Sequence, residues 1–441
     1  MSRLLVAQRA LTVPGWAKDA LWRSAQAVPS LDLRFADNKS LVDAVTGASL
    51  ITFTRASSGT YVDSAGVLQT AVTDVPRFDH NPTTGESLGL LVEEQRTNLL
   101  TYSDDFSNAA WTSLAATLSS NVATAPDGAL TADSYTATAV SGEHRIFRAS
   151  TATVTASSTI TFSVFVKASG ITRLRLNIYD SPSRVKEIIA NVNLSTGTIN
   201  TPTAAGGYTA VASLIQAYSN SFYRISITGT VDAATTAVLC DLGLQNSAGT
   251  GSWTPAGTEA LIVWGAQLEA GATPSSYIPT TTAAVTRSAD VASITGTAFS
   301  GWYRQDEGTM FAQGSTSASA SNPILFQVED GTANERIQIR RIGATNLASS
   351  IVSDGGVNQG GPTSAGFNAD TIGKVGFSYA LNNLQLAFNG ALGTADTSAT
   401  LPTVDRAFIG SASSPVYANG RISRITYWPQ ALPSRLQALT Q

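Results

Sequence analysis

Hydrophobic residues in this chain recur at every second position over short runs, the spacing of strands with one face in a core. ITFSVFVKAS (160–169), TRLRLNIYD (172–180), FYRISITGTV (222–231), AVLCDLGLQN (237–246) and ALIVWGAQLEAG (260–271) all alternate in this way. Turn chemistry separates the runs: DSAG (63–66) and PTTG (82–85) read as tight turns, each with a glycine to supply positive φ. Further on, ILFQVEDGTANERIQIRRIG (324–343) predicts a hairpin about Asp330-Gly331, and KVGFSYALNNLQLAFNGALG (374–393) one turning at Asn382-Asn383. The chain closes with a strand, a proline stop and a short helix in YANGRISRITYWPQALPSRLQALT (417–440). The expected fold class is all-β, with two β-sandwich domains, the first a jelly roll, behind a small β-rich module.

Four parts are expected. Residues 1–30 are apolar and include Trp16 and Trp22, with short helical pieces between Pro14 and Pro29. They are too few to fold alone and suit a docking arm; the alternative is packing back on the chain's own first domain. Residues 31–96 form the small module, 97–286 the jelly roll and 287–441 the second sandwich, with TTAAVTRSAD (281–290) as a polar linker.

The block Leu31 to Tyr102 resembles a module of bacteriophage and prophage structural proteins, tail or head fibres above all. NLLTYSDDFSNAAWT (98–112) and VWGAQLEAGATPSSYIPT (263–280) look like the first and last strands of jelly-roll carbohydrate-binding modules of phage fibres. The tail from Tyr417 is similar to the concanavalin-like, laminin-G type sandwich. The resemblance implies a virion component, made in the host cytoplasm and assembled into a particle. Its implied partners are other virion proteins of capsid or tail, a host cell-surface polysaccharide, and further copies of itself as trimer or pentamer. A purely structural capsid decoration or head fibre is the competing reading, and a polysaccharide depolymerase the third.

Composition narrows the field. Charged residues make up 13% of the chain against about 25% in typical soluble proteins. Net charge is −4 and no more than two basic residues are adjacent, which argues against nucleic acid binding. No apolar run approaches a membrane span. Cys240, the one cysteine, sits in an apolar run and reads as a buried small hydrophobe, and His80 and His144 are too isolated for a zinc site.

No catalytic motif appears, and the adjacent pairs Glu93-Glu94 and Asp104-Asp105 point to opposite strand faces, so no enzyme is expected. Glu93-Glu94-Gln95-Arg96 reads as a solvated turn or an interdomain ion pair. Sugar binding needs flat aromatic faces with amides, carboxylates or arginine. Alternation leaves Arg175, Asn177 and Tyr179 opposite Leu174, Leu176 and Ile178, and Arg224 opposite Tyr223 and Ile225. A sheet face with Arg175, Asn177, Tyr179 and Arg224 would make a glycan groove; the plainer alternative is a solvated face or subunit contact. Trp253, in the Gly-rich stretch SAGTGSWTPAG, is the exposed aromatic candidate, whereas Trp264 reads as core. Asp104 and Asp105, with Asn108 and Glu269, are the candidate Ca2+ ligands if first and last strands pair; turn and capping roles are the alternative.

Overall fold

The first strand of the chain pairs with the last. In the computed structural model, which describes residues 15–441 apart from 182, 319, 320 and 415, Leu31–Leu33 lies antiparallel to Gly420–Trp428 with Leu31 opposite Tyr427. Ser87–Val92 pairs with the same terminal strand, and Thr52–Thr54 pairs with Val291–Thr295.

Residues 31–96 are therefore no separate module, a correction to the expected division. They complete both sheets of a composite sandwich otherwise built after residue 290. One sheet runs Ala391–Leu392, Asn383–Phe388, Gly373–Ala380, Glu307–Gly314, Gly420–Trp428, Ser87–Val92 and Phe78–His80. The other runs Thr52–Thr54, Val291–Thr295, Arg406–Ile409, Ile324–Glu329, Arg336–Ile342, Leu347–Asp354 and Val357–Gly360. The physical reason is core supply. Leu31, Leu33, Phe35, Phe53, Leu90 and Val92 all enter one core with Phe326, Ile339, Phe377 and Tyr427. Each such burial is worth about 1.5–3 kcal/mol.

The jelly-roll segment is an insertion in this sandwich. Its first sheet has the order Thr209–Ala217, Tyr223–Thr230, Thr159–Ser169, Ala260–Ala270, Leu130–Ala137, Ala116–Thr124. The second sheet runs Thr198–Ile199, Glu187–Asn193, Arg173–Tyr179, Ala237–Gln245, Arg145–Arg148, Trp111–Leu114. Leu174, Leu176, Ile178 and Cys240 of the second sheet meet Phe162, Val164, Ile225 and Ile227 of the first, as the alternation predicts. Burial pushes the Cys240 thiol up. The chain enters and leaves through a two-stranded neck, Arg96–Asn98 against Val285–Arg287. The expected polar linker is thus a paired strand, and it carries the buried residues Arg287 and Asp290.

The docking arm is also corrected in part. Ala20–Ala25 is helical, capped by Asp19, whose carboxylate accepts from the Leu21 and Trp22 amides. Trp22 is buried with Phe311, Trp428, Leu436 and Leu439 against the outside of the composite sandwich's first sheet. Its indole N–H donates to buried Asp32 at 3.0 Å, so this tryptophan is consumed by its own chain. Residues 1–14 and the side chain of Trp16 lie outside the described residues.

The hairpins form where predicted. Glu329 faces Arg336 across the first, and Ala380 faces Asn383 across the second, which turns at Leu381 and Asn382, one residue earlier than expected. The turns at 63–66 and 82–85 form too, with Gly66 at φ 77° and Gly85 at φ 70°.

Candidate functional site

The four residues expected on one groove do not share a sheet. Arg175, Asn177 and Tyr179 lie on the second sheet of the inserted sandwich, while Arg224 lies on the outer face of the first. Alternation fixed the face of each strand correctly; the sheet to which each strand belongs carries no such signal.

The outer face of the second sheet is closed by its own ions. Asp241, fully buried, takes Arg145 and Arg184 at 3.2 Å each, and Glu143 takes Arg184 at 3.2 Å and Arg175 at 3.6 Å. Burial raises the Asp241 carboxyl, opposed by Arg175, Arg184 and Arg145. Asn177, expected at the surface, is fully buried and donates to Glu187 at 3.2 Å. Tyr179 is 3% exposed, has Arg184 stacked at 4.9 Å, and its phenol is pushed up to about 12, chiefly by burial. The space left beside Arg145, Arg175 and Gly243 is about 10 Å³, room for one water. Trp253 is half-buried rather than displayed: its ring meets His144 edge-on at 4.7 Å, and its strand pairs with Gly142–Glu143.

Arg224, itself only 8% exposed, borders open space of another order. A cleft of about 580 Å³ separates the two sandwiches. Its floor is the outer face of the first sheet, where cross-strand pairs set Gln216 beside Arg224, Leu214 beside Ser226 and Ala212 beside Thr228. The facing wall comes from the composite sandwich and its N-terminal hairpins: Asn81, Leu88, Ser315, Asp370, Ile372 and Arg421. Segment 272–277 closes one end and positions Arg224, whose guanidinium donates to the Ser275 carbonyl at 2.7 Å and Ser163 Oγ at 3.0 Å over the Phe165 ring. Arg421 pairs with buried Asp79 at 2.8 Å. Asp370 stands at φ 57°; desolvation raises its carboxyl, with Arg421 and then Arg341 drawing it back. Trp264 is buried as expected, but outside the sandwich core, packed with Phe165, Tyr277 and Val62 where the domains meet. Sequence reasoning reached Arg224 alone of this lining. By alternation Ser226 and Thr228 share its face, and the opposite wall had no signal because it comes from segments distant in the sequence.

The expected Ca2+ site does not assemble. Leu99 bonds Leu268 and Ser103 bonds Ala266, so the two runs are antiparallel and carry Asp104 away from Glu269. Glu269 is occupied by the Ser275 amide at 2.9 Å and Ser275 Oγ at 2.7 Å. Asp105 caps Ser107 at 2.7 Å and Asn108 caps the Ala110 amide at 3.0 Å. Asp104 is raised, first by burial and then by Asp127, Asp105 and Asp133. Among the described residues no group of three His, Cys, Asp or Glu side chains is placed to hold a metal.

The sequence matches no protein-family model and no curated protein. Among solved structures it is similar to the CBM40 module of Ruminococcus gnavus IT-sialidase bound to α2,3-sialyllactose, at 16% identity over 31% of this chain and 84% of that one, TM-score 0.28. Domain 4 of AbnA, a GH43 arabinanase of Geobacillus stearothermophilus in complex with arabinotriose, is similar at 13% identity over 38% and 82%, TM-score 0.28. The K499G mutant of NanB sialidase from Streptococcus pneumoniae is similar at 16% over 32% and 24%, TM-score 0.28. Likeness this low bears on neither ligand nor activity.

Proposed function

We propose that this chain is a saccharide-binding component of a bacteriophage fibre, carried in the virion and seating a host-surface glycan in the cleft between its two sandwiches. The observation that carries the binding reading is the cleft itself. At about 580 Å³ it falls within the usual range of ligand sites, and it lies at a domain interface, where such sites concentrate. Hydroxyls of Ser226, Thr228, Ser275 and Ser315 line it beside Arg224, Arg421 and Asp370, with Tyr61 and Tyr218 adding aromatic surface. That is the mixture a polyhydroxylated ring needs: exchangeable hydroxyl partners, planar charged groups and flat apolar patches. The fibre part of the reading rests on the resemblance of Leu31 to Tyr102.

Binding without turnover fits the lining better than hydrolysis. Two of its carboxylates are already committed within the chain, Asp79 to Arg421 and Glu93 to Arg77.

The test is binding of the full chain to a printed array of neutral, sialylated and uronate-containing glycans. Leu214 is 45% exposed on the floor, so Leu214→Trp sets a bulky ring into the cleft without touching a core. A fall in array signal in Leu214→Trp and a smaller one in Asp370→Asn, with melting temperatures unchanged, is the expected result. Undiminished signal in both variants rejects the cleft.

A further inference from the structure

The composite sandwich carries a second polar face, on the outside of the sheet that contains Ile324–Glu329 and Arg336–Ile342. Cross-strand register arranges it in rows. Phe408, Gln327, Gln338 and Ile351 stand side by side, and Arg406, Glu329, Arg336 and Ser353 form the next row. Their strand neighbours Phe326, Val328, Ile337, Ile339, Ala407 and Ile409 all point into the core.

The floor of this face is buried and unsatisfied. Gln327 is 2% exposed, Glu329 1%, Gln338 2% and Ser411 0%. Yet Gln327 Oε1, Glu329 Oε1, Gln338 Oε1 and Ser411 Oγ have no hydrogen-bond partner. Gln327 Nε2 donates to Glu329 Oε2, which also accepts from the Ser413 amide at 3.4 Å. That contact fixes the Gln327 amide with its carbonyl oxygen left over. Oxygens stranded in this way are costly, and three of the four can only accept. They call for donors that the chain does not supply.

The surroundings say what kind of donor. Phe408 is partly exposed beside Gln327, and Arg336 and Arg340 flank the floor, each with an Nε that lacks a partner. Hydroxyl donors over the floor, a C–H face over the phenyl ring and oxygen acceptors toward the guanidinium groups together describe a sugar ring. A purely cationic or purely apolar ligand would leave half of these groups unmatched.

We infer that this face is a second saccharide-binding surface, distinct from the cleft. A chain with two such sites would hold a repeating surface polysaccharide by avidity, since the second contact follows at high effective concentration.

The experiment uses the full chain on the same glycan array, in the Leu214→Trp background where the cleft is obstructed. Phe408→Ala and Gln338→Met are the probes, with melting temperature followed alongside. The expected result is residual array signal in Leu214→Trp that falls about tenfold on adding either substitution, with little change in melting. No residual signal in Leu214→Trp overturns the second site and leaves the cleft reading standing. Residual signal that Phe408→Ala and Gln338→Met leave intact also overturns it. A rise in melting temperature with Gln338→Met at constant binding assigns the floor to trapped water, a third way to reject the proposal. Signal that survives Leu214→Trp in full but is lost in Phe408→Ala rejects the cleft alone.

Discussion

Arg55 and Asp290 are separated by 235 residues in the chain and 3.0 Å in space, and neither side chain is exposed. Arg77 binds both Asp290 and Glu93, the latter at 2.8 Å, and Arg287 reaches Glu93 at 3.5 Å and Asp290 at 3.8 Å. Three guanidinium groups thus share two carboxylates at the neck between the sandwiches, and Glu93 also holds the Ser276 amide and hydroxyl at 2.8 and 2.7 Å. Asp290→Asn leaves buried cations undercompensated. A loss of about 3–5 kcal/mol is expected in urea unfolding, the cost of breaking a buried pair from one side. An unchanged urea midpoint would show that the cluster is idle.

Acid should act through Glu93. Its carboxyl lies well below the ordinary 4.5: burial opposes ionisation, and Arg287, Arg77 and the Ser276 contacts more than reverse it. A group whose folded pKa is depressed stabilises above its unfolded pKa, and that stability is lost as pH falls toward the folded value. The chain is expected to lose stability progressively below pH 4.5, and Glu93→Gln should flatten that part of the curve. Equal acid slopes in the two proteins would exclude Glu93 as the cause.

Two turns lock against each other. A Cβ on Gly66 would sit 2.5 Å from the Pro82 carbonyl oxygen, and one on Gly85 2.5 Å from that of Ser64. Gly47 shares the positive φ, at 77°, with nothing within 4 Å. Gly47→Ala should cost only the backbone strain, about 1–2 kcal/mol, and Gly66→Ala clearly more because backbone must move. Thermal melting of the two variants ranks them; equal losses would mean the turns do not press on one another.

Asn177→Ala is a stability variant rather than a binding variant. Its amide is fully buried and bonded to Glu187, so a loss of about 1 kcal/mol is expected with glycan binding unchanged. Leu176→Asp puts a charge into the core between the sheets and should unfold the inserted sandwich. Near-ultraviolet circular dichroism distinguishes the two outcomes.

Much of the strand inventory was legible because alternation reports directly which side of a strand meets the core. Leu174, Leu176 and Ile178 are buried, as their spacing requires. What alternation does not report is what lies over the other side. Asn177 and Arg224 look alike in sequence, yet one is fully buried beside Asp241 and bonded to Glu187, and the other borders open space. Strand partnership was equally hidden, since Leu31–Leu33 meets Gly420–Trp428 from the other end of the chain, where Asp32 takes Arg424 and Thr426.

The interrupted build of the composite sandwich sets an order of events during synthesis. Residues 31–96 leave the ribosome early, but the strand that must lie beside Leu31–Leu33 is Gly420–Trp428, among the last to appear. The inserted sandwich is contiguous and can close first, bringing Arg96 and Arg287 into the neck and converting a very long loop into a short one. Until the C-terminus arrives, Leu31, Phe53 and Leu90 wait without a core, a period in which neighbouring nascent chains can exchange strands. A fragment starting at residue 287 lacks strands in both sheets and is born incomplete, whereas 97–286 is a natural stopping point for the growing chain.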